Sequence, residues 1–332
     1  MSHGRNDMTA SATDPSRTPR EAADVLSADM RRNFAVVVPA LDEAPVIPDL
    51  ISALKDAFES FRLEGEVILV DDGSADGTAE IAEREGKGWG ALRVLRHRVN
   101  RGKTEALLTA ADATDREYLV LFDADLQHAP EEIPRFLATL QEGWDMVTGR
   151  KLGDYQKPLV SGIYNRLSRR IFGVPVTDLN SMKAFRRCIL EELSLRHDWH
   201  RFFVVLAHAR GYSVTEIDIR LFPRRAGESK YSGRFRVVVG LMDLISVWFL
   251  LLFSRKPLLL FGFTGTVLIG LGLIIGAVAF YLRFVEGVGF RPLLYLVILL
   301  ETVGFLLVGV GLLAEMVAQL HQEVDTLRRR LE

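Results

Sequence analysis

Cysteine is nearly absent: Cys188 is alone in 332 residues, so no disulfide forms within the chain. Such a composition fits a reducing compartment. Excess positive charge is missing as well. Forty-one Lys and Arg stand against 43 Asp and Glu, for a formal net charge of −2. A nucleic-acid footprint over the whole protein needs a strongly basic face, so no nucleic-acid partner is expected. His3, His97, His128, His197, His208 and His321 show no metal-ligand spacing. There is no internal repeat. Residues 1–32, rich in Ser, Thr, Asp, Arg and Pro, contain no apolar run of signal-peptide length. We read 1–32 as a disordered N-terminal segment, with at most a short helix between Arg20 and Met30. The soluble part is then expected to stay on the side of the membrane where it is made.

Long apolar runs appear only toward the C-terminus. Pro257 to Leu282 is 26 residues without a charge. At ~1.5 Å per residue it exceeds a hydrocarbon core of ~30 Å. A second run follows from Pro292, and its transmembrane part is set at 292–316, within an apolar stretch that reaches Leu320. Glu301 lies about a third of the way into it and Glu315 near its far end. Glu301 is costly against lipid, so it is expected to face the partner helix of the hairpin or a second subunit. The short link Arg283 to Arg291 makes the two spans (257–282 and 292–316) a hairpin whose ends lie on one side. Arg255 and Lys256 before it, and Arg328, Arg329 and Arg330 after it, place both ends in the cytoplasm by the positive-inside rule. The expectation is an integral protein of the inner or plasma membrane, with its catalytic domain and both termini cytoplasmic. Buried helices of a soluble protein are the alternative. Residues 236–256 suit an amphipathic helix at the interface, where Trp248 is favoured, better than a third span. Residues 321–332 read as a cytoplasmic helical tail. Contacts between transmembrane helices allow a homo-oligomer.

Between these ends the pattern alternates. FAVVVPA (34–40) and VILVDDG (67–73) read as buried parallel strands. Ile47, Leu50, Ile51, Leu54 and Phe58 mark one face of an intervening helix. Leu92–Arg96 and Tyr118–Phe122 continue as strands, and Lys103–Ala113 as a helix. This order predicts an α/β fold with a mostly parallel, Rossmann-like sheet over 33–235. Ligands bind beyond the carboxyl ends of such strands, and the polar clusters lie there: Pro39–Glu43, Asp71–Ser74 and Asp123–Gln127.

Asp123 and Asp125 stand two apart, which on an extended strand end points both carboxylates the same way. They suit a hard divalent cation, Mg²⁺ or Mn²⁺, bound by oxygens, and Gln127 continues the alternation with an amide oxygen. The neighbouring His128 reads as structural, or as support behind that loop. PRRAGESKY (223–231) surrounds a Gly-Glu-Ser turn with Arg224, Arg225 and Lys230. Basic residues on such a loop suit closure over a diphosphate or contact with anionic lipid.

In order, VVPALDE, VDDGSADGT, NRGKTEAL, DADLQHAPEE, DLNSMKAFR, HRFF and PRRAGESKY resemble glycosyltransferase family 2. The likeness runs from about Phe34 to Leu320 and is nearest the polyprenyl-phosphate branch, which includes dolichol-phosphate mannose synthases and undecaprenyl-phosphate glucosyltransferases. The resemblance implies a GT-A catalytic domain over 33–235. It implies that Pro39, Leu41, Glu43, Ala124 and one or both of Asp71 and Asp72 cradle the nucleotide sugar, and that Asp123, Asp125 and Gln127 hold the metal. Lys103 approaches phosphate or caps the region. Arg224 and Lys230 join Asp123 and Asp125 in catalysis by holding phosphate, while Arg225 suits phosphate or lipid. Arg150, Arg169, Asp178, Ser181 and Arg201 fall on the acceptor side. Leu41 departs from the family's usual aromatic, and VTGRK is shorter than the usual form around Arg150.

The resemblance implies an inverting hexosyltransferase that uses UDP-glucose, UDP-N-acetylglucosamine or GDP-mannose. Its acceptor would be undecaprenyl or dolichyl phosphate in the lipid bilayer. Transfer to a hydroxyl needs a general base, whereas a lipid phosphate oxygen is already anionic. A processive polysaccharide synthase is a second reading, but the chain lacks a Gln-x-x-Arg-Trp motif. A non-catalytic, nucleotide-binding membrane scaffold is a third.

Overall fold

Runs of β-branched residues with no polar alternation form strands only where both faces are covered. The computed structural model describes residues 17–152, 174–179, 181–193, 202–223 and 257–331. Its strands are β1 (Phe34–Ala40), β2 (Glu66–Asp71), β3 (Leu92–Arg96), β4 (Tyr118–Leu121), β5 (Met146–Leu152), β6 (Lys183–Arg186) and β7 (Val214–Arg220). Val36, Val37, Val38, Ile68, Leu69, Leu119 and Val120 are fully or almost fully buried. Among the described residues the strands form one sheet in the order β3-β2-β1-β4-β6-β5-β7. Only β6 runs antiparallel, against both β4 and β5. The break in direction at β6 sets Lys183 opposite Leu121, two residues before Asp123.

The crossover helices follow the strands: α3 (Ile47–Ser60), α4 (Thr78–Glu85), α5 (Lys103–Asp112) and α6 (Ile133–Gln141), with the shorter α7 (Cys188–Glu192) and α8 (Phe203–Ala209) later. In α3 the stripe Ile47, Leu50, Ile51, Leu54 and Phe58 is buried. It closes the main core with Phe34, Phe122 and Phe136.

Of the segment expected to be disordered, 1–16 lies outside the described residues, and 17–32 carries more helix than the one short helix allowed there. Residues 17–32 form two short helices, Pro19–Asp24 and Ala28–Arg32. Thr18 and Glu21 make a reciprocal capping box at the first. Ala22, Ala23, Leu26 and Met30 are buried. The Gln141 amide binds both ends of the linker between them, accepting from Ser27 N at 2.7 Å and donating to Val25 O at 2.9 Å. A polar average over the segment hid four apolar residues at helical spacing.

Residues 239–332 form a separate compact unit. It holds α9 (Pro257–Phe284) and α10 (Arg291–Leu331). Leu258–Phe284 and Arg291–Leu320 are long and apolar enough to cross a membrane. The two helices pack through glycine, which lets backbones approach. A Cβ on Gly265 would lie 2.6 Å from Gly304 O, and one on Gly304 2.9 Å from Gly265 O. Glu315 accepts from Leu258 N at 3.3 Å, an anion at a helix N-terminus. Glu301 lies against α9 within the same chain, where a Cβ on Gly272 would meet its Oε1 at 2.6 Å. Gly304→Leu is expected to push the helices apart and destabilise the hairpin by on the order of 2 kcal/mol, read as a lower melting temperature of the detergent-purified chain. The interfacial helix expected over 236–256 lies outside the described residues.

Candidate active site

The first two strand-end loops are stitched together by short polar side chains. Asp42 N donates to Ser74 Oγ at 2.8 Å, and Ala75 N returns a bond to Asp42 Oδ1 at 2.9 Å. Glu43 N donates to Thr78 Oγ1 at 2.9 Å and Ala44 N to Asp76 Oδ2 at 3.0 Å. These bonds fix the backbone of Leu41 and Glu43 beyond β1. Pro39 is the penultimate residue of the same strand, half-buried.

Asp71 and Asp72 divide their work. Asp71 Oδ1 accepts from Ser74 N at 3.0 Å and shapes the turn. Asp72 turns inward, 4% exposed. Its oxygens accept from Arg101 N at 2.9 Å and Gly102 N at 2.7 Å, and meet His97 Nδ1 at 2.7 Å. His97 Nε2 contacts Thr109 Oγ1 at 2.9 Å. Asp72 therefore anchors the start of α5, while Asp71, 6% exposed, holds the turn that precedes it. Gly73 has φ 81°, and a Cβ there would lie 2.6 Å from the Val99 carbonyl carbon. Only glycine allows the β2 and β3 exits to touch at this point.

Anchored in this way, Lys103 opens α5 and its Nζ bonds Asp123 Oδ1. The DADLQ stretch is a turn and not the extended strand end expected. Leu126 is left-handed at φ 52°, and Gln127 N donates to Asp125 Oδ1 at 3.1 Å. The Asx turn, not strand alternation, brings Gln127 round to Asp125. Ala124 packs into the core. Phe222 N donates to Gln127 O at 2.9 Å, which pins the exit of β7 to this loop immediately before PRRAGESKY. Arg224, Arg225, Lys230, Arg169 and Arg201 lie outside the described residues.

Around β5 and β6 the structure brings in residues that sequence reasoning missed. Arg150 is held in a fork by Asp218, with Nη2 to Oδ2 at 2.7 Å, and its Nη1 lies 3.4 Å from Glu216. The acids of β7 thus hold Arg150, whereas its neighbour Lys151 lies elsewhere. That residue projects from the opposite face of β5, and its Nζ lies 3.8 Å from Asp178 Oδ2. Lys183, 3% exposed, donates to Ser181 O at 2.9 Å. The only sequence signal for Lys183 was a lysine inside the apolar run MKAF. Ser181 Oγ and His128 Nδ1 are buried without hydrogen-bond partners.

Electrostatics joins these groups. Burial alone would raise the Asp123 carboxyl, but the charge and hydrogen bond of Lys103, with His128 and Lys183, hold it well below the usual carboxylate range. Burial and then the like charge of Lys103 push Lys183 down to about 7, against the pull of Asp123 and Asp178. Burial pushes His128 down to about 4 despite Asp123. Between that value and its ordinary 6.5 the unfolded chain binds the extra proton, so stability falls as pH drops through this window. In chelator-treated protein, His128→Gln is expected to flatten the unfolding profile between pH 6.5 and 4, by up to roughly 3 kcal/mol.

Among the described residues no three His, Cys, Asp or Glu side chains gather as a metal site. The loop offers the carboxylates of Asp123 and Asp125 and, in sequence, the amide of Gln127 as oxygen donors. Two carboxylates, one already carrying an ammonium on its Oδ1, fit a hard cation whose remaining ligands come from substrate. A hollow of about 700 Å³ lined by Phe58, Trp89, Leu92, Arg93 and Arg116 opens at the other end of the strands, where none of the acidic motifs lies.

Residues 35–194 match the model of Glycosyl transferase family 2. A Serratia proteamaculans (strain 568) protein, undecaprenyl-phosphate 4-deoxy-4-formamido-L-arabinose transferase, is 30% identical over 304 residues, covering 88% of this chain and 90% of its own. The Shewanella sediminis (strain HAW-EB3) protein of that name is 30% identical over 303 residues, covering 87% and 88%. A structural neighbour is Mycobacterium tuberculosis glucosyl-3-phosphoglycerate synthase in complex with Mn²⁺, UDP and glucosyl-3-phosphoglycerate. It has a TM-score of 0.56 at 21% identity and covers 71% of this chain and 85% of that one. The likeness to that structure shows a shared fold.

Proposed function

Because the chain belongs to glycosyltransferase family 2, with a GT-A fold, we propose that it transfers one sugar from a nucleoside diphosphate donor to a polyprenyl phosphate, with inversion. The observation that carries this reading is the gathering of Lys103, Lys151 and Lys183 around the Asp123–Gln127 loop, in a chain with two membrane-length helices. The relatives' names point to an undecaprenyl phosphate acceptor. A uridine diphosphate donor is favoured by the UDP in the neighbour's complex. The relatives' pentose, 4-deoxy-4-formamido-L-arabinose, joins glucose, N-acetylglucosamine and mannose as a sugar to test.

In this reading Leu41, Glu43 and Asp71 hold the nucleoside, and Asp123, Asp125 and Gln127 hold Mg²⁺ or Mn²⁺. The metal, when bound, supplies charge that stabilises the departing diphosphate. Lys151 and Lys183, with Ser181 and Asp178, orient the acceptor phosphate, and Arg169 and Arg201 remain candidates by resemblance. Arg224, Arg225 and Lys230 close over the diphosphate. The acceptor oxygen attacks as an anion, so positioning and charge replace a general base. The positive-inside rule places the catalytic unit and both termini in the cytoplasm.

The test uses the purified full chain, Mn²⁺ and each radiolabelled nucleotide sugar, with undecaprenyl phosphate or undecaprenol as acceptor. Label is expected in the lipid extract with undecaprenyl phosphate only. Equal transfer to undecaprenol would overturn the phosphate reading, and donor binding without transfer to either would favour a scaffold.

A further inference from the structure

We infer that Lys103 is a placeholder cation: it occupies Asp123 in the free enzyme and leaves for the donor diphosphate when metal and nucleotide arrive together. This rests on the transferase reading for the identity of the diphosphate.

The geometry starts from the bond between Lys103 Nζ and Asp123 Oδ1. Both side chains are accessible, 29% and 35% exposed, and a lysine ammonium rides on a flexible four-carbon stem. Its backbone is fixed by contrast, because Asp72 anchors Arg101 N and Gly102 N at the start of α5. The ammonium can therefore change partners without moving the helix.

Charge explains why it would. Among the described residues Asp123 bonds Lys103, Asp178 lies 3.8 Å from Lys151, and both acids act on Lys183. Asp123 is balanced by Lys103 and Asp178 by Lys151, so the cluster is close to neutral as it stands. A divalent cation alone would give it a surplus of positive charge beside an ammonium already seated on Asp123. A diphosphate alone would meet Asp123 and Asp125. Together the two nearly cancel, and Lys103, released from Asp123, has an anion within reach. The site is built to take metal and diphosphate jointly and either one poorly. Such coupling is reciprocal.

The experiment measures Mn²⁺ binding and UDP binding separately on the full chain in detergent, each with and without the other ligand. Wild type is expected to bind Mn²⁺ at least about tenfold more tightly with UDP present, and UDP more tightly by the same factor with Mn²⁺ present. Lys103→Met is expected to bind Mn²⁺ alone on the order of tenfold more tightly than wild type and UDP alone more weakly, with the coupling reduced. Lys103→Arg, which keeps the cation, is expected to leave Mn²⁺ binding weak. Wild type with no coupling overturns the inference without recourse to any variant. So does a folded Lys103→Met protein that binds Mn²⁺ alone no better than wild type. Coupled binding in a protein that transfers no sugar would leave this inference standing and remove the transferase reading.

Discussion

Asp125→Asn is expected to slow sugar transfer by about 10²–10³-fold while the protein keeps its fold. The carboxylate has two roles that this substitution separates. Its Oδ1 accepts from Gln127 N at 3.1 Å and holds the turn that follows Leu126. An asparagine oxygen accepts the same bond, so the turn persists. What disappears is the negative charge at a position 8% exposed, where a cation holding the diphosphate would sit. The check is initial rate of label transfer to undecaprenyl phosphate at saturating Mn²⁺, alongside the melting temperature. A large drop in rate with an unchanged melting temperature supports an electrostatic role. Parallel loss of both would mean that Asp125 serves the turn alone.

Asp72→Ala is expected to cost stability, about 3–5 kcal/mol, since each buried group left unpaired costs ~1–3 kcal/mol. The substitution strands Arg101 N and the Nδ1 side of the buried His97 ring, and leaves Gly102 N with Asn100 Oδ1 alone, at 3.0 Å. It also frees the start of α5, so Lys103 loses its aim at Asp123. Denaturant unfolding followed by tryptophan fluorescence reads the stability. Asp72→Asn, which keeps an acceptor oxygen, is expected to lose less. An alanine variant as stable as wild type would mean that the β3–α5 connection holds itself without this carboxylate.

The parallel sheet was legible because FAVVVPA and VILVD are aliphatic without alternation, a pattern that suits strands covered on both faces. The two apolar helices were legible from their apolar length, the first uncharged and the second interrupted only by Glu301 and Glu315. The site was legible in its motifs and not in its aim. Nothing in the adjacent letters of Asp71 and Asp72 tells which turns inward, because the partners of Asp72 lie about 30 residues on, at Arg101 and Gly102. Lys183 was invisible for a similar reason: the antiparallel insertion of β6 sets it opposite Leu121 and Thr148, a pairing no local pattern encodes. Arg150 and Lys151 are neighbours in sequence, but a strand sends them to opposite faces, and the acids of β7 claim Arg150. The positive φ of Leu126 was unforeseen as well, since leucine seldom adopts it.

The central claim is that a lipid phosphate takes the sugar directly. Mass spectrometry of the lipid extract from a reaction with undecaprenyl phosphate, Mn²⁺ and the preferred nucleotide sugar tests it most directly. The predicted product is undecaprenyl phosphate carrying one sugar residue through a single phosphate. A lipid diphosphate, a polymer, or sugar recovered only on a hydroxyl acceptor would contradict it.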